Sequence, residues 1–430
     1  MSHRSRQLKV SSLARVEGEG ALRVVVEDGR VERAELNIYE PPRFFEALLR
    51  GRAYTEPPDI TARICGICPV AYQTSACNAI EQACGVELDE PLADLRRLLY
   101  CGEWISSHAL HIYLLHAPDF LGYPDAIAMA GDHRSVVERG LALKKAGNAL
   151  MDLIGGRAIH PVNVRVGGFY ALPARAELAP VAEQLRRALD DALDTVRWAA
   201  GFDYPEYELE HEFLAVTEPG RYAIARGSLR SSGGLSFPAK DFLTHVSEKQ
   251  VPRSTALQAT LDGHRYLTGP LARYALGSGL LSVTARQAAA EAGLGAQCRN
   301  PFRSILVRGV ELVYAVDEAL RLIEGYERPP RPAVEVPARA AVGHGVSEAP
   351  RGTLYHRYEL DGGGVIRSAT IIPPTAQNQS AIEEDLRRVA GANLGLDDAE
   401  LTGLCERTIR NYDPCISCSA HFLDLTVEHR

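Results

Sequence analysis

The chain lacks a hydrophobic run long enough to cross a bilayer. Its basic N-terminal residues 1–9 are followed by no apolar segment of the kind that a secretory signal contains. We therefore expect no membrane span and a cytoplasmic location. The net charge of −8 also disfavours nucleic acid as the main partner, because a phosphate-binding face normally carries an excess of Lys and Arg.

Cysteine is scarce, and the number of cysteines is odd. Nine cysteines in 430 residues do not form the dense, even-numbered set of a disulfide-stapled secreted protein. Reduced thiols and a bound metal agree better with this usage. A chain of this length builds its own hydrophobic core, so it does not need a local metal site in place of one.

Four of the cysteines form two short pairs at opposite ends of the chain, at residues 65–68 (CGIC) and 415–418 (CISC). Two residues between thiols let both sulfurs face one centre, and four thiolates suit a soft or borderline metal. Zinc ribbons usually bring their two pairs within about 20 residues, whereas here the fold must bring the chain ends together. The spacing favours a catalytic or redox metal; a structural zinc ion and a chance arrangement remain the alternatives.

Hydrophobic periodicity predicts a mainly helical body with peripheral strands, an α+β fold. Strands are expected over residues 7–40, and a hairpin over 351–372 with its turn at 361–364. The predicted helices cover residues 92–121, 133–154, 176–200, 302–325, 379–391 and 397–411. Both cysteine pairs are expected to cap helices, whose N-terminal amides would favour thiolates.

These elements predict a single large domain over residues 1–430. Its expected parts are N-terminal strands and a loop (1–60), a helical core (61–200), a mixed insertion (201–300), helices with a hairpin and the C-terminal metal motif (301–421), and a cleavable tail (422–430).

The residues around the two cysteine pairs resemble the large subunit of nickel–iron hydrogenases. The likeness rests on Arg-x-Cys-Gly-x-Cys at residues 63–68 and on Asp-Pro-Cys-x-x-Cys-x-x-His at 413–421. Further motifs similar to that family follow its order along the chain: residues 15–20 (RVEGEG), 43–46 (RFFE), 107–113 (SHALHIY), 115–119 (LHAPD), 155–161 (GGRAIHP), 349–352 (APRG) and 371–378 (IIPPTAQN). One CxxC is a weak signal, but an ordered series that joins both ends is a strong one.

The resemblance implies a nickel ion bound by all four thiolates. Cys65 and Cys415 would be terminal ligands, while Cys68 and Cys418 would bridge to an iron that carries cyanide and carbon monoxide. The resulting cluster is anionic, so a guanidinium donor beside it is expected.

Two residues of the later motifs can donate hydrogen bonds to such an anionic cluster. Arg351 is expected to lie near the cluster, and Thr375 is expected to donate a hydrogen bond to a cyanide.

Splitting H2 requires a Lewis-acid metal and a base within reach. The candidate bases are Cys415 and, by resemblance, Arg351; we favour the Cys415 thiolate because a neutral guanidine is costly to form. Glu17 is expected to be the first carboxyl of the proton exit path. Asp119 and Asp413 are expected to hold Arg351 in place, with an ordinary helix cap as the alternative for either.

A second metal is implied behind the C-terminal cysteines. Glu46, His421 and the backbone carbonyl of Ile371 resemble that family's magnesium site. One carboxylate and one imidazole also suit iron or zinc, which are the alternatives for this ion.

The remaining cysteines show no grouping that indicates an iron–sulfur cluster, and we interpret them as buried small hydrophobic residues. They are Cys77, Cys84, Cys101, Cys298 and Cys405. Electrons are therefore expected to leave through partners: an iron–sulfur small subunit, then iron–sulfur and flavin subunits that carry FAD and NADP. The resemblance also implies nickel-insertion factors and a maturation protease that cuts between His421 and Phe422.

Tyr72 and Gln73 follow the first cysteine pair, and many family members have a histidine at the position of Tyr72. The two residues resemble the cytoplasmic branch that couples H2 to NADP(H) and also reduces sulfur or polysulfide. The alternatives are an NAD-linked or deazaflavin-reducing hydrogenase, a non-catalytic relative in a complex I–like assembly, and a four-cysteine zinc binding module. The complex I–like relatives typically lack the four cysteines that this chain has.

Overall fold

The computed structural model describes residues 5–420, which form helices and small sheets. The α-helices are α1 Phe45–Leu49, α2 Pro57–Thr61, α3 Pro69–Cys84, α4 Glu90–Leu110, α5 Ala117–Leu121, α6 Ala126–Asp132, α7 Arg134–Gly155, α8 Arg175–Ala200, α9 Phe242–His245, α10 Pro270–Gly277, α11 Val283–Glu291, α12 Ser304–Glu324, α13 Pro374–Ala392, α14 Asp398–Arg410 and α15 Ile416–Ser419.

Five small sheets lie around the helices. Their strands are β1 Ser5–Val10, β2 Gly20–Glu27, β3 Arg30–Ile38, β4 Val164–Arg165, β5 Gly168–Phe169, β6 Glu212–Thr217, β7 Ser228–Ser231, β8 Ser236–Phe237, β9 Val246–Gln250, β10 Leu257–Leu261, β11 Tyr266–Leu267, β12 Ala341–Ala349, β13 Gly352–Leu360 and β14 Ile366–Ile372.

Four long helices build the centre of the protein. Helix α4 packs against α7 and α12, and α8 packs against α12 and α7. The helix predicted over 176–200 is confirmed as α8, an amphipathic helix with mostly buried apolar side chains and mostly exposed charged ones. Helix α12 is buried on nearly all sides, as a central helix must be.

Helix α4 does not simply end where its α-helical pattern stops. It continues into a wider π-helical turn, His111–His116, before α5 begins at Ala117. Such π-helical turns are rare in proteins, and those that occur are often found at functional sites. The turn places its two histidines, His111 and His116, in the interior next to α12.

Two antiparallel sheets frame the cysteine pairs. The N-terminal sheet has the order β1–β2–β3 and packs against α13. The C-terminal sheet has the order β12–β13–β14 and packs on α3, the helix that follows the first cysteine pair. The sheets therefore pack on the helices beside the two cysteine pairs, since α3 follows the first pair and α13 contacts α15 of the second.

The predicted α+β fold is confirmed, including the N-terminal strands and the hairpin β13–β14. The hairpin is, however, part of a three-stranded sheet, because β12 pairs along the whole of β13. Helix α13 also begins earlier than predicted, at Pro374, since proline is well suited to the first position of a helix. The division of the chain into one domain with the stated parts stays a prediction.

In residues 5–420, every helix is too short or too polar to cross a membrane.

Candidate metal centre

The fold brings both cysteine pairs to one point inside the protein. The Sγ atoms of Cys65 and Cys415 are 3.4 Å apart, and those of Cys68 and Cys418 are 3.6 Å apart. All four sulfurs lie within 4.8 Å of one another, and all four residues are buried. Four sulfurs bound at about 2.3 Å to one tetrahedral metal ion would be about 3.8 Å apart. The two distances between the pairs are close to this value, whereas the Sγ atoms of Cys415 and Cys418 are only 2.6 Å apart.

Each pair is placed by the start of a helix. Cys65 is extended and follows a short 3₁₀ turn, while Cys68 is the residue that precedes α3. Cys415 is extended and precedes α15. The prediction that both cysteine loops cap helices is therefore confirmed.

The second pair is held by the N-terminal segment. Glu17 pairs with Cys415 as an isolated bridge, in which the Glu17 carbonyl accepts the Ile416 N–H at 3.0 Å. The Glu17 carboxylate also accepts the Ser417 N–H at 3.1 Å. Gly18 permits this approach: its φ is +88°, and a Cβ there would lie 2.7 Å from the Ile416 side chain.

The expectation that helix N-terminal amides favour the thiolates is wrong for the amides that follow Cys68 and Cys415. Behind Cys415, the amides of Ile416 and Ser417 are taken by Glu17. Behind Cys68, the first two amides of α3 are taken by the carboxylate of Glu103. Cys65 differs, because its sulfur accepts the Ile67 N–H at 3.3 Å.

The four thiols cannot all ionise by themselves. Hydrogen bonds from the Cys415, Cys418 and Cys68 thiols lower the pKa of Cys65 and outweigh its burial. Burial and the neighbouring thiols instead raise the pKa of Cys415 well above its usual range. Cys65 thus ionises easily, whereas its neighbours keep their protons. Ionisation of all four thiols requires a bound cation such as a metal ion.

Arg351 lies beside the sulfurs and is almost fully buried. Its Nη2 donates to Asp413 at 3.0 Å, whereas its Nε and Nη1 find no hydrogen-bond partner among residues 5–420. Burial alone would lower the pKa of Arg351, but the charges of Asp413 and of the Cys415, Cys68 and Cys65 thiolates raise it. The residue is a cation with two donor atoms to spare for a group bound at the sulfurs.

The two predicted supports of Arg351 have different outcomes. Asp413 does hold it, at 3.0 Å. Asp119 does not, because its carboxylate pairs with Arg15 at 2.6 Å and with Arg410 at 2.7 Å. This part of the prediction is wrong: two other arginines lie closer to Asp119 and occupy both of its oxygens.

Thr375 stands at the first turn of α13, next to the second cysteine pair. Its hydroxyl oxygen accepts the Cys415 N–H at 2.9 Å. A hydroxyl that accepts one hydrogen bond can still donate another. Its position therefore allows the expected bond to a ligand of the iron.

The predicted second metal site is only partly described. The Glu46 carboxylate lies at the first turn of α1 and accepts the Ile371 N–H at 2.7 Å, which places it beside β14. His421 lies outside the described residues, which end at Ala420. The carbonyl of Ala420 accepts the Arg43 N–H at 3.0 Å, so the chain approaches α1 at this end.

The five other cysteines are buried free thiols dispersed through the core, as interpreted from the sequence. Burial raises the pKa of Cys77 and Cys101 to about 12, so both remain neutral. The histidines at 111 and 116 are also core residues: the Nε2 atom of His111 donates to the Arg410 carbonyl, and that of His116 donates to the Asn411 side-chain oxygen. Burial lowers the pKa of both.

Sequence reasoning missed two buried charged residues near the centre, Glu103 and Arg308. Glu103 continues the stripe of Leu92, Leu95 and Leu99 on α4, and all four are buried. A carboxyl group on an apolar stripe is unusual, and this pattern could have identified Glu103 from the sequence. Arg308 stands in the same way within the apolar helix α12.

Comparison with known proteins relates this geometry to chemistry. The family model described as nickel-dependent hydrogenase matches residues 43–139 and 311–421, the segments that supply all four cysteines. The chain is 35% identical to the sulfhydrogenase 1 alpha subunit of Pyrococcus furiosus, over 97% of this chain and 98% of that one. It is also 35% identical to the sulfhydrogenase 2 alpha subunit of that organism, over 97% and 100%.

A solved NAD+-reducing NiFe-hydrogenase in its H2-reduced state has the same fold. The TM-score is 0.87 at 25% identity, and the match covers 97% of this chain and 99% of the other. The full-length similarity to hydrogenase alpha subunits, and not the thiol geometry, which zinc would also suit, argues against a zinc module. The chain therefore belongs to the nickel-dependent hydrogenase family and is the large, catalytic subunit of a hydrogenase, with a nickel–iron centre as its cofactor.

Proposed function

We propose that this subunit oxidises H2 in a complex that delivers the electrons to NADP+, that the reaction also runs in reverse, and that sulfur or polysulfide is a further electron acceptor. The observation that carries the proposal is the full-length similarity to two sulfhydrogenase alpha subunits. NAD+ is the second candidate acceptor, because the solved structure described above is that of an NAD+-reducing enzyme.

The branch assignment from the sequence rests on Tyr72 and Gln73, and the surroundings of Tyr72 show how its role differs from that of a histidine. It is fully buried on α3, one turn beyond Cys68, and its ring lies 5.7 Å from that of His356. Burial, and then the charges of the Cys418 and Cys68 thiolates, raise the pKa of Tyr72 well above its usual range. The residue therefore keeps its proton, unlike a histidine at neutral pH.

The four cysteines are the proposed ligands of the nickel–iron centre. Cys65 and Cys415 would be terminal on nickel, and Cys68 and Cys418 would bridge to the iron with its cyanide and carbon monoxide ligands. The buried, ionisable sulfurs and the two spare donors of Arg351 agree with such an anionic group. When bound, the centre supplies the Lewis acid that polarises H2.

The proton is proposed to leave through groups of this chain. The Cys415 thiolate is the preferred base, because Asp413 and the thiolates hold the proton on Arg351. Burial and the charge of Cys65 raise the pKa of Glu17, so its carboxyl can hold a proton closer to neutral pH. Glu17 accepts the Ser417 N–H, and the Ser417 hydroxyl donates to the half-buried Glu40 at 2.9 Å, which marks a direction outward.

Glu46, the Ile371 carbonyl and His421 are the proposed ligands of a magnesium or iron ion. The contact between the Glu46 carboxylate and the Ile371 amide supports the meeting of the first two. The ion would support the C-terminal cysteines from behind, since α1 and the end of the described chain are adjacent.

Electrons are proposed to leave through an iron–sulfur small subunit and then through flavin and iron–sulfur subunits with FAD and NADP. The isolated distribution of the five other cysteines supports this, because no cluster site is formed by them within residues 5–420. Nickel-insertion factors and a protease that cuts between His421 and Phe422 complete the proposal. The intact mass of the subunit in the active complex should correspond to residues 1–421, and a subunit that still ends at Arg430 would contradict the cleavage.

The acceptor is tested with the purified complex, its nickel content measured alongside. We expect H2-dependent reduction of NADP+ to be faster than that of NAD+ at equal concentrations. A nickel-loaded complex that reduces only NAD+, or only a deazaflavin, would refute the NADP assignment and leave the hydrogenase assignment intact.

A further inference from the structure

The two halves of the metal centre are built in the same way. In each, a cysteine directly precedes a helix, and a glutamate outside that helix takes its first free amides, Glu103 with its carboxylate and Glu17 with its backbone carbonyl and its carboxylate. Glu17 does this behind Cys415, and Glu103 does it behind Cys68. Glu17 already has a place in the proposed proton path, whereas Glu103 has no role so far.

Glu103 meets a need that the first cysteine pair creates. The initial amides of a helix lack partners within it. Cys68 provides no side-chain cap for α3, and Pro69 has no N–H, so Val70 and Ala71 carry the first orphan donors. The carboxylate oxygens of Glu103 accept these two N–H groups at 2.6 and 3.1 Å.

The position of Glu103 on α4 is closely fixed. Its neighbour Gly102 lies against α7, where a Cβ on Gly147 would come 2.6 Å from the Gly102 carbonyl. Its other neighbour, Trp104, donates its indole N–H to the Glu348 carbonyl at 2.9 Å. The carboxylate therefore reaches α3 from a helix that has little freedom to shift.

The charge of Glu103 is unusual for its surroundings. The residue has no exposed surface, and within residues 5–420 it forms no ion pair with Lys, Arg or His. Burial raises the pKa of Glu103 well above its usual range and the charge of Cys65 raises it further, while the two amides and the charge of Arg351 lower it. A buried carboxyl group that no cation contacts is costly, so a contribution beyond simple packing is expected from Glu103.

We propose that Glu103 is a positioning residue of the metal centre: by taking both free amides behind Cys68 it fixes this sulfur and keeps those amides from hydrogen-bonding to it. The inference rests on the proposed assignment of Cys68 as a ligand that bridges to iron. A sulfur that accepts fewer amide bonds donates more electron density to its metal.

The test compares Glu103→Gln with Glu81→Gln in the purified complex. Glutamine has the shape of glutamate but turns an NH2 group toward one of the two amides. Glu81 is a matched control, because it is a buried glutamate near the opposite end of α3, where it pairs with Arg96. Both variants should lower the thermal midpoint, since both disturb buried polar contacts of the same helix.

The readouts are the infrared bands of the carbon monoxide and cyanide ligands, nickel content, and H2-dependent reduction of a viologen dye. For Glu103→Gln we expect shifted bands and a loss of activity or nickel retention of about 10- to 100-fold, the range typical of groups that orient metal ligands. Glu81→Gln should retain the wild-type bands and the wild-type activity per nickel. Because the dye accepts electrons whatever the physiological acceptor is, an error in the NADP assignment leaves this comparison unchanged.

Unshifted bands and wild-type activity per nickel in Glu103→Gln would overturn the proposal. So would equal losses in both variants, which would indicate general destabilisation. If Glu103→Gln does not accumulate, Glu103→Asp retains the charge but is too short to reach both amides, and the same band shift is expected for it.

Discussion

Replacing Asp413 should destabilise the protein more strongly before nickel is inserted than after. Asp413 is buried and accepts from Arg351 at 3.0 Å. It also lies near the buried Arg308, whose pKa is lowered to about 10 by burial while Asp413 and Glu311 oppose this. In Asp413→Ala two guanidinium groups lose a counter-charge, and Arg351 loses the one carboxylate that it contacts directly.

The magnitude follows from the burial of the pair. Removing one partner of a buried ion pair costs about 3–5 kcal/mol, because the other charge is left without compensation. With an unfolding entropy of about 2.1 cal/mol/K per residue, 1 kcal/mol corresponds to about 1 °C in a chain of 430 residues. The midpoint of the nickel-free subunit should therefore fall by about 3–5 °C. In the nickel-loaded subunit all four thiolates are ionised and face Arg351, so the fall should be smaller.

The assay is thermal unfolding of both forms of wild type, Asp413→Ala and Asp413→Asn. The asparagine variant keeps an oxygen that accepts from Arg351 and loses only the charge, so it should lie between the other two. Equal midpoints for Asp413→Ala and wild type in the nickel-free form would refute the reasoning, as would a larger loss in the nickel-loaded form.

Three further outcomes are expected. Glu17→Gln should keep the nickel content, because its amide oxygen can still accept the Ser417 N–H, but should lower H2 turnover by about 10²- to 10⁴-fold, measured with a viologen dye; unchanged turnover would exclude Glu17 from the proton path. Cys68→Ser should lose nickel by elemental analysis, whereas Cys77→Ser, in the neutral core, should retain it; retention by both would contradict the ligand assignment. Burial opposes the shift, but the hydrogen bonds and charge of Arg410, together with the hydrogen bond from Arg15, lower the pKa of Asp119 below its ordinary 3.8. The stability from this carboxylate is thus present above about pH 3.8 and is lost as the pH falls through the lower folded value, so Asp119→Asn should flatten the acid branch of the stability curve; an unchanged acid branch would refute this.

The order of helices and strands could largely be predicted from periodicity, as α8 shows with its single apolar stripe. The pairing of β12 with β13 could not, because it joins segments whose alternation is obscured by burial on both faces of the sheet. The Arg351–Asp413 pair was predicted, since both residues stand in recognisable motifs. Asp119 was assigned to the wrong arginine, because nothing in its motif indicates which cation lies nearest in space.

The sequence by itself determined the chemistry of the centre. Its two CxxC pairs and the motifs between them specify which donor groups are present. Only the tertiary structure decided how those donors are held. Glu103 with its carboxylate, and Glu17 with its carboxylate and backbone carbonyl, take the helix amides that were expected to favour the sulfurs, and each lies outside the helix that it caps. The spacing of residues along the chain shows which side chains share a helical turn, but not which carboxylate lies next to a given amide. That depends on how the helices pack, as in the close contact of Gly102 with Gly147.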